Sequence, residues 1–439
     1  AVDYRQAARN NHYPNFQQAM RNNPTRSPYD PDSETGYNVW INESLDYNVV
    51  ADAMLEDYYG LDKWFKPEVN LKLNIKPIPG LNYQQVVGYE NRQWELHQYW
   101  PSTHRSEIDN SRKGHAHLAF SKTENLTSEG YFSYVKDFKG GHNLNATAGY
   151  SYFEVNGENF GMDNYNFSVD GIKYWDIGQG SYLTDGKAGM SSGKSVTERL
   201  FSFFARANYS YQDKYMLSAS IRHEGSSKFA ADNRWANFWS ATAGWRISNE
   251  EFMKDFDWLD DLKIRFGYGV TGNNDFSATY MANMLGSDTN WMMPNGTWAY
   301  SYGKSQNVNP NLGWEEKKEW NLGVDYSFFE GRLYGKFDYY RREVDNLLFS
   351  VKVPQPPYTQ GSQMQNIGSM ESKGWEFEVG GDIIRTKDFT WSSSMNLSHN
   401  TGKILTLEGD NSYHNGNGFV APGTPGDAAR MEAGSTIGS

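Results

Sequence analysis

Two histidines, His115 and His117, have the spacing that comes nearest to a chemical site in this chain. Residues two apart on a strand share a face, so the two imidazoles could begin a metal site. No third histidine and no carboxylate is spaced in the sequence to complete the ligand set. The chain also has no cysteine, which excludes thiolate ligands, disulfide bonds and thiol catalysis. We therefore predict no bound metal.

Carboxylates are abundant, with 53 aspartates and glutamates against 41 lysines and arginines. A pair of carboxylates could act as in glycosidases, but no pattern marks such a pair. The sequence also lacks a nucleophile elbow, a phosphate-binding loop and an HExxH helix. The net charge of -12 disfavours nucleic acid as a partner. We predict no catalytic residue and no cofactor.

The elements that must position these side chains are strands. The stretch Arg332–Arg342 alternates between apolar or aromatic residues and mostly charged ones. Because strand side chains alternate between two faces, one face of this strand is apolar and the other polar. Segments of about ten residues with this pattern recur along most of the chain, the length that a tilted strand needs to cross a bilayer. The pattern predicts a closed barrel with an apolar exterior and a hydrated interior, and hence a pore or transporter.

Aromatic residues make up 16% of the chain and include 30 tyrosines and 15 tryptophans. Membrane barrels concentrate such residues in girdles at both interfaces, although carbohydrate-binding proteins are also rich in them. The mean hydropathy of -0.77 and the lack of any window of roughly 18 apolar residues exclude a helical membrane protein. A barrel escapes this limit because only alternate residues of each strand face lipid.

We predict an all-β fold, a large antiparallel up-and-down transmembrane β-barrel, of which this chain supplies about twelve strands. Short turns such as Lys139–His142 and Phe329–Gly331 alternate with long polar connections, as in bacterial outer-membrane barrels. A plugged transporter barrel has roughly 22 strands, so twelve strands indicate a part of one. Residues 1–32 are expected to be irregular except for a short helix in QQAMRNN, and NEEFMKDFDWLDD is expected to form another short helix.

Several segments share a recognisable pattern. Arg199–Met253 contains two strands, a Gly-Ser-Ser loop and a Gly-Trp-Arg strand, and Leu262–Phe276 contains a strand with a Thr-Gly-Asn loop. Asn309–Leu348 contains Asn-Pro-Asn-Leu and an Asp-Tyr-Tyr hairpin, and Asn366–Val379 contains the start of another strand. In these segments, and over nearly its whole length, the chain resembles the TonB-dependent outer-membrane transporters of the SusC/RagA type from Bacteroidetes.

This resemblance implies energised import of a nutrient, an oligosaccharide or a peptide, across the outer membrane of a Gram-negative cell. It also implies a SusD-type surface lipoprotein as a lid and TonB as the energy-coupling partner. Residues 1–439 would belong to the barrel domain, with the plug domain and the C-terminal strands outside this chain. The alternatives are a soluble surface glycan-binding β protein and, less favoured, a polysaccharide-degrading enzyme. They differ in whether Trp320, Leu322, Val324 and Tyr326 face lipid or a core.

Two groups of residues are candidates for binding. Aromatic rings on an exposed loop can stack on a ligand with an apolar face, or they can pack within the loop or a girdle. Charged residues in the lumen can contact a ligand or the plug, or they can form cross-strand ion pairs in water. The loop candidates are Trp291, Trp298, Tyr300 and Tyr302, with the same alternatives for Trp94, Tyr99 and Trp100. The lumen-facing candidates are Lys263, Arg265, Lys336, Asp338 and Arg342, together with Glu376 and Glu378.

Overall fold

The computed structural model describes residues 2–9, 16–40, 47–282, 285–407, 413–416 and 429–436. The chain divides into two compact units. Unit 1 comprises residues 1–69, 87–127 and 154–197, and unit 2 comprises residues 70–86, 128–153 and 198–439. In the described part of the chain, no helix is both long enough and apolar enough to span a membrane.

Strands form most of the regular structure; within the described residues, fourteen lie in one sheet and the others form three separate pairs. The sheet contains β1 (Val2–Arg9), β2 (Asp57–Asn74), β3 (Leu81–Trp100), β4 (His115–Phe138), β5 (His142–Tyr165), β6 (Gly189–Lys194), β7 (Glu198–Tyr211), β8 (Tyr215–Ser226), β9 (Trp235–Arg246), β10 (Leu259–Asn273), β13 (Glu315–Phe328), β14 (Leu333–Asp345), β17 (Ser369–Arg385) and β18 (Thr390–Thr406). The pairs are β11 (Leu285–Met292) with β12 (Trp298–Lys304), β15 (Leu348–Lys352) with β16 (Ser362–Asn366), and β19 (Tyr413–Gly416) with β20 (Ala429–Glu432).

Helices are short throughout the described residues. The α-helices are α1 (Phe16–Arg21), α2 (Val49–Leu55) and α3 (Arg105–Asp109). Single turns of 3-10 helix occupy Asp170–Ile172, Ile177–Gln179, Ala231–Asn233, Ile247–Asn249, Glu251–Met253 and Ala278–Met281. The predicted helix in QQAMRNN corresponds to α1.

Strands that follow each other in the chain lie next to each other in the sheet. The order is β1-β2-β3-β4-β5-β7-β8-β9-β10-β13-β14-β17-β18, with β6 paired to β5. The pairs β11–β12 and β15–β16 are inserted in the connections from β10 to β13 and from β14 to β17. This order confirms the predicted up-and-down arrangement. The strand number is higher than the predicted twelve, and residues 2–9 form a strand where irregular structure was expected, because the sequence VDYRQAAR does not alternate.

Tight turns connect the strands at one end. Gln212 and Asp213, between β7 and β8, both have φ of 53°, the left-handed backbone that a two-residue type I′ turn requires. Between β13 and β14, Glu330 and Gly331 have φ of 58° and 74°. The Asp260 carboxylate of β10 accepts hydrogen bonds from the backbone N–H groups of Glu330 (3.0 Å) and Gly331 (2.8 Å). A side chain of the neighbouring strand thus holds this turn.

The segment NEEFMKDFDWLDD does not form the predicted helix. It contains the 3-10 turn Glu251–Met253, and β10 already begins at Leu259. Phe252 and Phe256, whose helical spacing suggested a packed helix, are both exposed. The spacing was misleading because hydrogen bonds to the residue that precedes the turn, Glu250, fix the path of the chain.

Glu250 joins two short connections of unit 2. Its carboxylate accepts hydrogen bonds from the Tyr215 hydroxyl (2.6 Å), the Trp245 indole N–H (3.0 Å) and the Lys214 ammonium (3.0 Å). These donors, the Tyr215 hydroxyl first, lower the pKa of Glu250 from 4.5 to about 2. The carboxylate therefore stays ionised, and it ties the connection after β9 to the turn between β7 and β8.

Among the described residues, each unit has a cluster of buried apolar side chains, largely within the connections and strand ends. These clusters hold the loops in place and do not underlie the middle of the strands. In unit 1 the cluster contains Tyr99, Ala116, Phe167 and Tyr174. In unit 2 it contains Phe229, Phe238, Phe276, Leu312 and Trp314.

One face of the sheet in unit 2 is apolar and exposed. Val324 of β13 lies opposite Ile264 of β10 and Phe337 of β14. Phe266, two residues along from Ile264, is 50% exposed, and Leu397 of β18 is 47% exposed. A water-soluble sheet buries such a face, so its exposure indicates contact with lipid. We call it the apolar face and the opposite one the polar face; the apolar face includes Trp320, Leu322, Val324 and Tyr326.

The apolar face has the height of a membrane. From Trp320 to Phe328, β13 measures about 27 Å at roughly 3.4 Å per residue. A strand tilt of roughly 40° reduces this to about 21 Å, close to the apolar band of about 25 Å in outer-membrane barrels. The strand length and the alternation of side chains therefore both indicate a membrane environment.

Replacement of Glu250 by glutamine is expected to destabilise unit 2. The amide keeps the shape but loses the charge that the Lys214 ammonium and the two other donors stabilise. In the full-length protein, E250Q should lower the temperature at which the barrel loses its heat-modifiable migration on a detergent gel. The control is E251Q, because Glu251 is exposed and pairs with Lys254. Equal temperatures for the two variants would contradict this role of Glu250.

Candidate functional site

The predicted lumen-facing residues all lie on the polar face of unit 2. Lys336 of β14 is opposite Asp325 of β13 and Glu378 of β17. Asp338 is opposite Gly323 of β13 and Glu376 of β17. Lys263 and Arg265 of β10 follow on the next strand, opposite Asp325 and Gly323. Sheet pairing thus brings together charges that are far apart in sequence.

Arg265 is the centre of this group. Its guanidinium donates hydrogen bonds to both oxygens of Asp325 at 2.9 to 3.1 Å and to Asp338 at 3.0 Å. Lys263 forms a second ion pair with Asp325 at 3.0 Å. Asp325 is on the next strand and Asp338 is one strand farther, so Arg265 crosses the whole width of β13. The cluster contains two cations and two carboxylates and is neutral.

Gly323 makes this crossing possible. A Cβ atom at this position would lie 2.6 Å from Arg265 Cζ and 2.7 Å from Asp338 Oδ1, closer than atoms can approach. The absence of a side chain in the middle of β13 therefore leaves the space that the guanidinium occupies. Alternation in the sequence identifies both ends of this bridge but not the glycine between them, because an isolated glycine in a strand has many possible causes.

Lys336, Glu378 and Arg342 are also paired. Lys336 contacts Glu378 at 2.9 Å, and Arg342 contacts Glu319 of β13 at 2.8 Å. These side chains are partly exposed, and such pairs contribute roughly 0 to 1 kcal/mol each. The pairs therefore order the polar face more than they stabilise the fold.

An open groove of about 540 Å³ lies beside the Arg265 cluster. Most of its exposed lining is apolar and includes Leu144, Leu217 and Phe266, and amide and hydroxyl side chains supply much of the polar remainder. Such a surface suits a ligand or a protein segment that has both apolar and polar groups. Its lining includes Asn145, Asn208, Ser218, Thr242, Lys263 and Arg265.

The loop aromatics lie on the β11–β12 hairpin. Trp298 is opposite Met292, and Trp291 is opposite Ala299. Trp291, Trp298 and Tyr302 are between 65% and 71% exposed, so their rings are available for stacking. Tyr300 lies in β12 between Trp298 and Tyr302, and its side chain is outside the described part of the structure.

The aromatic residues near the end of β3 are packed instead. Tyr99 is buried, and its hydroxyl donates to Asp170 Oδ1 at 2.7 Å. Trp100 stacks on His115 with ring centroids 4.5 Å apart, and Trp94 is half-buried. For Tyr99 and Trp100, the packing alternative therefore describes the observed contacts.

Asp163 of β5 lies between the two histidines of β4. Its Oδ1 atom is 2.8 Å from His115 Nε2 and 2.8 Å from His117 Nδ1. Sheet pairing brings Asp163 to the two histidines from 46 residues beyond His117, a contact that spacing in the sequence does not show. Among the described residues, no group of three or more metal-ligating side chains is arranged to hold a metal ion. The arrangement orients both imidazoles through one carboxylate oxygen.

A histidine caps helix α3 in unit 1. His104 Nδ1 accepts a hydrogen bond from the backbone N–H of Ser106 at 3.2 Å. The side chain is buried, and burial, followed by the nearby Arg105 charge, lowers its pKa from 6.5 to about 4. Asp52 lies 3.4 Å from Nε2 and favours the protonated form, but burial has the larger effect. The cap requires the neutral ring, since a protonated Nδ1 cannot accept.

This geometry matches that of known proteins. Residues 2–436 match the family model described as TonB dependent receptor-like, beta-barrel. The chain is 32% identical over 364 residues to TonB-dependent receptor P39 of Formosa agariphila, an alignment that covers 80% of this chain and 33% of that protein. It is 39% identical over 236 residues to TonB-dependent receptor SusC of Bacteroides thetaiotaomicron, with 52% of this chain and 23% of that protein covered.

Among solved structures, the RagAB peptide transporter superposes with a TM-score of 0.77 and 22% identity, over 92% of this chain and 43% of that one. At this identity the superposition establishes the fold alone. The present chain spans a third or less of the length of the two curated relatives. The resemblance to the SusC/RagA type and the barrel fold predicted from sequence are confirmed by these matches.

Replacement of Gly323 by alanine is expected to break the Arg265 bridge. The added methyl group would displace the guanidinium from Asp338, at a cost of about 1 kcal/mol in unfolding free energy. The measurement is denaturant unfolding of the full-length protein in detergent. G244A is the matched control, because a Cβ at Gly244 of β9 would meet Met216 at an ordinary 3.6 Å. A loss of stability in both variants alike would refute the special role of Gly323.

The His104 cap is expected to make the fold around α3 sensitive to acid. Between about pH 6.5 and pH 4 the unfolded segment binds a proton that the folded segment does not. Stability should therefore fall over this window, by up to roughly 3 kcal/mol, and stay level below about pH 4. Proteolysis of the connection 101–114 in the full-length protein, measured as a function of pH, reports this change.

H104N is the informative variant for this experiment. Asparagine caps helices well and does not titrate in this range, so the variant should keep the cap and lose the acid sensitivity. Asp52, Arg105 and Glu107 remain in place in both proteins. If the variant and the natural protein became sensitive to protease over the same pH window, another group would be responsible.

Proposed function

Because the chain belongs to the TonB-dependent receptor-like β-barrel family, we propose that it forms part of the barrel of an outer-membrane importer. The importer takes up a nutrient, either an oligosaccharide or a peptide, with energy supplied through TonB. Residues 1–439 belong to the barrel domain in this proposal, and the plug domain, its TonB-binding box and the C-terminal strands are supplied by other parts of the protein.

The observation that carries the proposal is the exposed apolar face of unit 2. Leu322, Phe266 and Leu397 are exposed large apolar side chains on neighbouring or nearby strands of one sheet. A soluble glycan-binding protein would cover such a face with a second layer, because exposing it to water costs about 25 cal/mol per Å². A lipid bilayer covers it without any further protein element.

The polar face supports the other half of the proposal, a hydrated lumen. Lys263 and Arg265 form a neutral network with Asp325 and Asp338, and Lys336 and Arg342 have carboxylate partners. Because its charges are paired with each other, the polar face is hydrophilic but would bind a passing ligand only weakly. Weak binding suits transport. The groove beside Arg265 offers amide and hydroxyl groups to the plug or to the ligand.

Ligand recognition is assigned to the β11–β12 hairpin in this proposal. Trp291, Trp298 and Tyr302 present flat, exposed rings in the long connection between β10 and β13. Long connections lie on the outside of the cell in outer-membrane barrels, where a SusD-type lipoprotein would close over the bound ligand. RagAB is a peptide transporter, and peptides as well as sugars have apolar surfaces that stack on such rings.

Transport by the full-length protein tests the proposal. Cells should carry the protein in the outer-membrane fraction, with heat-modifiable migration, and should take up one component of a labelled mixture of oligosaccharides and peptides. The double variant W298A/Y302A should reduce that uptake about tenfold, because each lost ring contact contributes roughly 0.5 to 1.5 kcal/mol.

The control for this experiment is F389A. Phe389 is equally exposed but lies in the short connection between β17 and β18, far along each strand from the long connections. A soluble location would overturn the importer itself. Normal uptake by W298A/Y302A, with the protein in the outer membrane, would overturn only the role of the hairpin.

A further inference from the structure

The apolar face ends in a basic layer on three strands of unit 2. On β14, the apolar series is followed by Arg341, which lies opposite Trp320 of β13 and Lys373 of β17. In the next layer, Lys403 of β18 lies opposite Glu371 of β17. We call Arg341, Lys373 and Lys403 the basic layer. On β8 and β9 the same face ends instead in the uncharged or weakly basic residues Ile221, His223 and Trp239.

Two cations of the basic layer share one carboxylate. Arg341 Nη2 lies 2.6 Å from one oxygen of Glu371, and Lys373 Nζ lies 4.0 Å from the other. The Arg341 and Lys373 side chains are 47% and 54% exposed, whereas the Glu371 side chain is only 13% exposed. The cations therefore stand outermost, and the carboxylate that orients them lies beneath. Lys403 is also exposed.

The position of the layer identifies its surroundings. It lies between the apolar face and the long connections, and long connections mark the external side of outer-membrane barrels. Trp320 lies in the same layer as Arg341, and Tyr339 and Trp375 lie in the layer immediately below, as aromatic residues do at the boundary between acyl chains and headgroups. The three cations therefore lie at the depth of the headgroups of the outer leaflet.

We propose that the basic layer binds the phosphate group of an anionic glycolipid in the outer leaflet. The guanidinium of Arg341 offers several N–H donors in one plane, and the two ammonium groups add donors without a fixed direction. Together they can neutralise a phosphate that lies flat against the wall. The acyl chains of the same lipid would then cover Phe337 and Phe377, directly below on the same face. This inference requires that the chain lies in the outer membrane, but it does not require any particular transport substrate.

Binding to defined glycolipids by the full-length protein tests this proposal. The probes are monophosphorylated lipid A, its dephosphorylated form and inorganic phosphate, each added to the purified protein in detergent. Lipid binding is counted by native mass spectrometry. The phosphorylated lipid should bind, and R341Q/K373Q/K403Q should weaken its binding by about a hundredfold, because the variant removes three cations near the anionic headgroup.

Two further variants make the result unambiguous. K139Q/K254Q/K387Q removes three exposed lysines from the opposite, short-turn end and should bind the lipid normally. E371Q removes the shared carboxylate but keeps the cations, and it should bind at least as well as the natural protein. If E371Q lost binding like the triple variant, the effect would come from the lost ion pair and not from the cations.

Two results would overturn the proposal. Equal binding of the dephosphorylated lipid would show that the acyl chains alone account for the contact. Equal competition by inorganic phosphate at the same concentration would show a general anion site that is independent of lipid. Outer-membrane location and uptake are measured separately, so a negative result here leaves the proposed import function intact.

Discussion

The two faces of a single sheet meet two different solvents, and this constraint determines most other features of the molecule. A strand alternates its side chains, so each strand must carry an apolar and a polar series at once. In β14 the apolar series includes Phe337 and Tyr339, and the polar series includes Lys336 and Asp338. A slip of one residue would place every charge in lipid and every aromatic ring in water. The register is therefore fixed by the environment as strongly as by hydrogen bonds.

The same constraint explains why buried apolar clusters are small and lie in the connections. A wall that is one sheet thick has no interior of its own, and its apolar side chains are covered by lipid. The clusters around Tyr99 and around Phe229 instead anchor long connections to the ends of strands. Polar anchors have the same effect at the short turns, where Asp260 and Glu250 hold backbone and side-chain donors of neighbouring strands. The contacts that hold the connections in place are thus different from those that hold the strands of the sheet.

The sequence predicted what depends on neighbouring residues and missed what depends on pairing. The alternation in Arg332–Arg342 was sufficient to assign the faces, because both series are present within one strand. The contact of Asp163 with His115 and the space that Gly323 leaves for Arg265 depend on the register between strands. The helical spacing of Phe252 and Phe256 gave a wrong helix, since side chains of β8 and of the end of β9 hold Glu250, and sequence spacing does not show these contacts. Of the binding candidates, the hairpin aromatics were proposed from their place in one long polar connection, and their role in binding stays a prediction.

The charged side chains of the two faces differ in how completely carboxylates of the protein pair with them. This difference separates charges that hold the protein together from charges that are available to another molecule. On the polar face, Arg265 gives its donors to two carboxylates, so little of its charge remains for another molecule. At the end of the apolar face, Arg341 and Lys373 share one shielded carboxylate and stay exposed. Cations in that position lie where the membrane carries its own anions, and the lipid can complete a pairing that the protein leaves incomplete. The chain as a whole is acidic, with a net charge of -12, whereas the basic layer is a local group of cations. Average composition therefore does not explain this layer, and a local function does.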